Sequence, residues 1–142
     1  MHTIQIYTDG SCLGNPGFGG YGAMILDSGK EIILSGGERQ TTNNRMELRA
    51  IMESLRWVAE HCTGAQVQIF SDSNLCIQSI TQGWKRKKNV DLWEEFDELL
   101  FAAKAKKNIL EWNWVKGHAN NVYNKKVDIV AVRAAQKMKQ SF

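Results

Sequence analysis

The chain is predicted to form one α/β domain, in which a mixed five-stranded sheet carries helices on both faces. Alternating apolar and polar side chains indicate strands near both ends of the chain, and helical periodicity indicates helices after residue 44. The resulting order, βββαβααβα, predicts three antiparallel strands followed by parallel ones, because each helical crossover returns the chain to the same end of the sheet. A length of 142 residues, 43% of them hydrophobic, suits a single domain over residues 1–142.

The first three strands are expected to form an antiparallel meander, because turn-forming residues join them. They are predicted at residues 3–8, 21–26 and 31–35. Residues 14–22 are rich in glycine and resemble a nucleotide-binding loop, but such a loop should open a helix. Here the glycines lead into a strand instead, so we expect a wide hairpin loop that lets a backbone approach a ligand closely.

A long amphipathic helix is predicted from about Asn44 to Cys62, because its apolar side chains recur at helical spacing. These side chains are Met46, Leu48, Ile51, Leu55 and Val58. Further helices are expected at residues 73–81, 91–107 and 124–139, and strands at 67–70 and 109–115. Sites in such sheets form beyond the carboxyl ends of parallel strands. Asp9 and Asp72, predicted to end the first and fourth strands, should therefore lie close together.

Composition narrows the class of protein further. The net charge of +3 is mildly basic and is compatible with a polyanionic partner. Basic residues cluster at Lys85, Arg86, Lys87 and Lys88, and again at Lys104, Lys106 and Lys107. Three cysteines without metal-type spacing, and a start that lacks secretory signal features, predict a reduced, cytoplasmic setting. No apolar stretch approaches the ~18 residues that span a membrane, so no membrane association is expected.

Four acidic residues occupy positions that are unfavourable for a carboxylate: Asp9, Glu47, Asp72 and Asp128. Carboxylates ~4 Å apart repel by about 4 kcal/mol at an effective dielectric near 20, so a shared pocket predicts bound divalent cations. Each acid also has an ordinary interpretation. Asp9 can form a turn with the next glycine, and Glu47 can complete a capping box with the asparagine three positions earlier. Asp72 can cap the following helix, and Asp128 can pair with a nearby lysine.

Several segments resemble, in order and approximate spacing, the signatures of type 1 ribonuclease H (ribonuclease HI). They are residues 8–22 (TDGSCLGNPGFGGYG), 41–48 (TTNNRMEL), 71–73 (SDS) and 112–118 (WNWVKGH), with Asp128 and Ala131. The resemblance covers nearly the whole chain and implies a ribonuclease H-like fold. It also implies an endonuclease that hydrolyses the RNA strand of RNA–DNA hybrids with two Mg²⁺ ions, for which Mn²⁺ can substitute. The products would carry 5′-phosphate and 3′-hydroxyl ends.

The same resemblance implies roles for individual residues. The metal-binding and catalytic carboxylates are Asp9, Glu47, Asp72 and Asp128. His118 joins the catalytic set in proton transfer or product release, although a loop histidine is usually a solvated side chain. The candidate contacts to the RNA strand, near its 2′-hydroxyl groups, are Cys12, Asn15, Asn43, Asn44 and Asn74. Thr42, at a helix N-terminus, matches a position that holds a phosphate of the DNA strand.

The chain departs from the family in two places. Many relatives carry an extra helix and a long basic loop where this chain has only residues 83–88. Here Trp84, Lys85, Arg86, Lys87 and Lys88 are expected to hold the DNA backbone, and the alternative is a solvated turn with a core tryptophan. A shorter basic region predicts weaker hybrid binding. Lys125 stands where the family commonly has glutamate, and we expect it to compete weakly with metal.

The implied partner is an RNA–DNA hybrid, and the chain is expected to act as a monomer without an obligate protein partner. Two other functions remain open. The first is a nuclease or strand-transfer enzyme of the same architecture that cuts DNA, and comparing a DNA duplex with a hybrid separates it. The second is a non-catalytic hybrid-binding domain, which absence of cleavage with Mg²⁺ or Mn²⁺ would favour.

Overall fold

The computed structural model describes residues 2–116 and 121–142, and the order of its elements is the predicted βββαβααβα. The strands are β1 (Thr3–Leu13), β2 (Gly17–Asp27), β3 (Lys30–Thr41), β4 (Gln66–Ser71) and β5 (Ile109–Trp114). The helices are α1 (Asn43–His61), α2 (Asn74–Thr81), α3 (Val90–Ala105) and α4 (Val122–Gln140). In these two ranges, no helix has both the length and the apolar character needed to cross a membrane.

The five strands form one mixed sheet in the order β3-β2-β1-β4-β5. Strands β1, β2 and β3 pair antiparallel, whereas β4 pairs parallel to both β1 and β5. The mixed sheet predicted from the element order is thereby confirmed. The parallel ladder between β1 and β4 ends at the pair Thr8 and Ser71. Asp9 follows Thr8 and Asp72 follows Ser71, so the two acidic residues lie side by side where the parallel pairing of β1 and β4 ends.

Two adjacent glycines of β2 show that α1 and α4 cover opposite faces of the sheet. Successive strand residues point to opposite faces. A Cβ atom on Gly19 would lie 2.8 Å from Met46 of α1, and one on Gly20 would lie 2.3 Å from the backbone nitrogen of Ala135 in α4. Helices therefore cover both faces, as predicted: at these glycines the backbone of α4 lies almost directly on the sheet, whereas α1 reaches the sheet through the side chain of Met46.

The predicted apolar face of α1 is buried. Its members Met46, Leu48, Ile51, Leu55 and Val58 are at most 1% exposed. Most of this face joins the side of the sheet that carries Ile4, Ile6 and Ile69 in the main core, which Phe96 of α3 completes. Burying a side chain of this size contributes about 1.5–3 kcal/mol each, so α1 is held to the sheet chiefly by this face.

The prediction of a wide hairpin loop over residues 14–22 was wrong. Residues 17–22 belong to β2 and pair with β1 through Leu13 and Phe18, so only residues 14–16 form the turn. Asp9 consequently lies inside β1 and does not end it as predicted, although it does follow the last parallel pair. The glycines permit the close approach of helices to the sheet. In the sequence alone, glycines needed for such packing cannot be told from glycines of a loop.

Candidate active site

Three carboxylates meet where the parallel ladder ends. Asp9, Glu47 and Asp72 each offer one oxygen atom, and these atoms lie within 4.8 Å of one another. Asp9 is buried, whereas Glu47 and Asp72 are half-buried. The three residues line an open cavity of about 470 Å³. Acidic oxygens at this spacing form a donor set for a hard divalent cation.

The electrostatics of these acids reflect their crowding. Burial, reinforced by the negative charge of Asp72, raises the pKa of Asp9 to about 8. Burial also raises the pKa of Glu47 well above its usual value, and the charges of Asp9 and Asp72 add to that effect. The Oε2 atom of Glu47 is buried and has no hydrogen-bond partner within the described residues. Protons or cations are therefore needed to neutralise the group at neutral pH.

The backbone of Gly10 fixes the relative position of two of these acids. Its N–H group donates to Asp9 Oδ1 at 2.9 Å and to Glu47 Oε1 at 3.2 Å. A Cβ atom at this position would lie 2.3 Å from the backbone nitrogen of Glu47, so only glycine lets the start of α1 approach β1 this closely. The prediction treated Gly10 only as a turn residue beside Asp9, because its contact with Glu47, 37 positions away, has no local sequence signal.

Neither Glu47 nor Asp72 takes part in capping a helix, which was the alternative role considered for each of them. Helix α1 begins after Thr42, whose Oγ1 accepts from Arg45 N at 3.2 Å, so a capping box between Asn44 and Glu47 does not form. Helix α2 begins after Ser73, whose Oγ accepts from Cys76 N at 3.2 Å. Because other side chains supply the caps, both acids remain available in the cavity.

Asp128 reaches the same cavity from α4 on the other face of the sheet. It lies outside the tight group of three and is exposed, yet its carboxyl is close enough to contribute to the raised pKa of Asp9. The alternative pairing with Lys125 does not occur among the ion pairs of the described residues. All four acids predicted from the sequence thus line one cavity, three of them closely and one at its exposed margin.

The predicted substrate contacts fall into two groups. Asn43, Asn44 and Asn74 line the cavity beside the carboxylates. Cys12, Asn15 and Thr42 are not among its described lining residues and gather around the N-terminus of α1. There, Asn15 Oδ1 accepts from Asn43 N at 3.0 Å, and Cys12 Sγ donates to Thr41 O at 3.3 Å. The two groups are therefore continuous through Asn43.

A second cavity of about 190 Å³, here called the basic groove, adjoins the first. It is lined by Lys85, Arg86, Lys87 and Lys88 together with Asn44, Leu75, Ser79, Asn89 and Trp93. Asn44 and Leu75 also line the carboxylate cavity, so the two spaces are neighbours. Trp84 is 47% exposed, which excludes the alternative of a core tryptophan. His118 lies outside the described residues, and its role stays a prediction from the sequence.

Comparison with known proteins assigns the family. The family model described as RNase H matches residues 1–136 of the chain. A protein named Ribonuclease H from Edwardsiella ictaluri is 46% identical over 148 residues, which cover 95% of this chain and 91% of the relative. A protein of the same name from Campylobacter jejuni is 43% identical over 146 residues, covering 97% of this chain and 94% of the relative.

Solved structures agree with this assignment. LC9-RNase H1, described as a type 1 RNase H with the type 2 active-site motif, has a TM-score of 0.79 and 31% identity, covering 96% of this chain and 74% of that one. LC11-RNase H1, solved in complex with an RNA/DNA hybrid, has a TM-score of 0.73 and 27% identity, covering 94% of this chain and 97% of that one. The chain therefore belongs to the type 1 RNase H family and is a nuclease.

Proposed function

We propose that this nuclease hydrolyses the RNA strand of RNA–DNA hybrids and leaves 5′-phosphate and 3′-hydroxyl ends. The observation that carries the proposal is the group formed by Asp9, Glu47 and Asp72, whose oxygen atoms lie within 4.8 Å of one another in an open cavity. The adjoining basic groove supports a polyanionic substrate. The hybrid bound to the related LC11-RNase H1 supports its identity.

Asp9, Glu47, Asp72 and Asp128 are proposed to hold two Mg²⁺ ions, with Mn²⁺ as a substitute. The donor set fits, because all four are hard oxygen ligands and Glu47 Oε2 has no hydrogen-bond partner among the described residues. When bound, such ions lower the pKa of an attacking water and stabilise the leaving oxygen of an in-line displacement. The exposed position of Asp128 leaves room beside it for substrate and water.

The protein's own part in this reaction is to hold the acids at fixed positions relative to one another. Gly10 N–H orients Asp9 and Glu47 through two hydrogen bonds, so neither carboxylate has to be ordered when substrate arrives. Asp72 directly follows β4, whose parallel pairing with β1 fixes it next to Asp9. His118 is proposed to move a proton or to assist product release.

Recognition of RNA is proposed to depend on amide side chains near the cavity. Asn43, Asn44 and Asn74 line it, and amide groups can donate to and accept from a 2′-hydroxyl group. Asn15 is proposed to act both as support for α1 and as a contact, and Cys12 lies nearby. Thr42 Oγ1 uses a lone pair to cap α1, so its O–H group remains free to donate to a phosphate of the DNA strand.

We expect the chain to act as a monomer in the cytoplasm, without an obligate protein partner. Size-exclusion chromatography with light scattering, in the presence of Mg²⁺, tests the oligomeric state. A stable dimer at micromolar concentration would contradict this part of the proposal.

The proposed activity is tested with a labelled RNA–DNA hybrid, and with an all-DNA duplex of the same sequence as control. Cleavage of the RNA strand is expected in Mg²⁺ or Mn²⁺ and should stop when a chelator removes the ions. Enzymatic end-labelling should identify 5′-phosphate and 3′-hydroxyl termini. Equal cleavage of the DNA duplex, or cleavage in the chelator, would refute the proposal.

Substitution of Asp72 tests the ligand assignment. Asp72→Asn should reduce cleavage by about a hundredfold or more, the scale seen when a group that stabilises charge at a reacting centre is lost, while hybrid binding is largely kept. Asp27→Asn is the matched control, because Asp27 ends β2, pairs with His2 and does not line the cavity. Near-normal turnover by Asp72→Asn would remove this residue from the assigned role.

A further inference from the structure

The basic residues beside the basic groove differ in what their side chains contact. Lys85, Lys87 and Lys88 are exposed, and none of them forms an ion pair within the described part of the chain. Arg86 differs, since its Nη1 lies 2.8 Å from Asp97 Oδ1 and 2.9 Å from Asp97 Oδ2. A guanidinium committed to a carboxylate in this way has less charge to offer a phosphate.

An aromatic surface completes the environment of Arg86. Its guanidinium carbon lies 4.2 Å above the centroid of the Trp93 ring and 5.6 Å from that of Phe96. Both rings are buried in α3, where Trp93, Phe96 and Asp97 lie on one side of the helix at helical spacing. The flat face of the Arg86 guanidinium therefore packs on the Trp93 ring, and its edge pairs with the Asp97 carboxylate. Lysine, which has no planar group, cannot make both contacts.

The connection between α2 and α3, residues 82–89, contains no helix or strand, and all of its residues are exposed except Arg86 and Asn89, which are half-buried. It is held at its end by Asn89, whose Oδ1 accepts from Arg45 Nη1 at 3.4 Å. Arg86 supplies a second attachment three residues earlier. Lys87 and Lys88 lie between these two attachments, and Lys85 adjoins the first of them.

We infer that Arg86 is a positioning residue: its contacts with Trp93 and Asp97 fix the exposed lysines along the basic groove, and the lysines contact the nucleic-acid backbone. This inference rests on the proposed function and divides the basic run into one structural member and three binding members. Holding the connection in place before binding lowers the ordering cost of each lysine on association.

Asp97→Asn tests the inference, because the loss of a negative charge and the loss of the Arg86 attachment should change hybrid affinity in opposite directions. Removing a negative charge near a polyanion site should strengthen binding if only long-range electrostatics matter. Loss of the Arg86 attachment should instead weaken it, and we expect a dissociation constant about fivefold higher. Glu98→Gln is the matched control, because it removes the same charge from the next position of α3, and Glu98 forms no ion pair among residues 2–116 and 121–142.

The measurement is hybrid affinity in chelator, where no cleavage is expected, followed by steady-state kinetics in Mg²⁺. Asp97→Asn and Arg86→Lys should each raise the dissociation constant and KM, leave kcat and the melting temperature near those of the unmodified chain, and show no further loss when combined. Glu98→Gln should bind as tightly as the unmodified chain or more tightly. Asp97→Asn binding as tightly as Glu98→Gln would overturn the inference. Failure of the unmodified chain to bind the hybrid would instead overturn the proposed function, and this inference with it.

Discussion

Asp9 carries a proton near neutral pH in the chain without bound cations, because burial and the charge of Asp72 raise its pKa to about 8. A cation in the cavity would displace that proton, so ion binding and proton release are linked at this residue. The ion is then expected to bind more tightly as pH rises. Acidic conditions should weaken cleavage through ion binding before they affect the fold.

The same pKa predicts how the stability of the cation-free chain depends on pH. Between the usual value of 3.8 and about 8, folded Asp9 holds a proton and unfolded Asp9 does not. Unfolding therefore releases a proton in this window, and the contribution of Asp9 to stability falls as pH rises. Melting temperatures measured in chelator from about pH 5 to pH 8 should decline less steeply in Asp9→Asn than in the unmodified chain. Asp27→Asn serves as control, and equal slopes in all three proteins would contradict the prediction.

Residues of the site differ in how well the sequence predicts them. The four acids stand out because each occupies a position that is unfavourable for a carboxylate, and all four line the cavity. Gly10 and Asp97 do not stand out, because their roles depend on partners 37 and 11 positions away. Contacts of this kind depend on how helices and strands pack together, so they cannot be predicted from local sequence patterns.

At the scale of elements, the helices agree with prediction to within about two residues at each end. Apolar periodicity and caps determine where a helix begins and ends, and both are local properties. Strands β1, β2 and β3 all extend much further than predicted, because each contains glycine beyond its predicted bounds and glycine is a common loop residue. In β2, Gly20 and Gly22 occur where the backbone of α4 lies against the strand, which is a property of the packed layers.

Gly20 tests this explanation of the long strands. An added Cβ would lie 2.3 Å from Ala135 N and 2.5 Å from Ala131 O, and these backbone atoms of α4 cannot rotate away. Gly20→Ala should therefore lower the free energy of unfolding by about 2 kcal/mol or more. Ser35→Ala, at an exposed position of β3, should change it by at most about 0.5 kcal/mol. Chemical denaturation measures both, and similar values would show that α4 tolerates displacement.

At the scale of the whole molecule, two clusters of lysines lie at separate places on the surface. Lys85, Lys87 and Lys88 adjoin the carboxylate cavity through the basic groove. Lys104, Lys106 and Lys107 lie near the start of β5, beside the start of β4, at the opposite end of the sheet from Asp72. A net charge of +3 therefore understates the local field that a polyanion meets near the site.

Salt dependence of hybrid binding distinguishes these two clusters. If three lysines contact phosphates, the logarithm of the association constant should fall against the logarithm of salt concentration with a slope of about −2 to −3. Replacing Lys85, Lys87 and Lys88 by glutamine should remove most of that slope. The same replacement of Lys104, Lys106 and Lys107 should leave it nearly unchanged. Affinity that does not vary with salt would contradict a role for the basic groove.

The four acids of the cavity depend on three layers: Glu47 comes from α1, Asp9 from β1 and Asp72 from the residue after β4 in the sheet layer, and Asp128 from α4. No partly folded form that lacks one layer contains the complete ligand set. Cations proposed to bind there would consequently select the native chain over every intermediate, and by mass action would stabilise it as a unit. The cation concentration at half-saturation would then rise whenever any one of the three layers is wrongly packed.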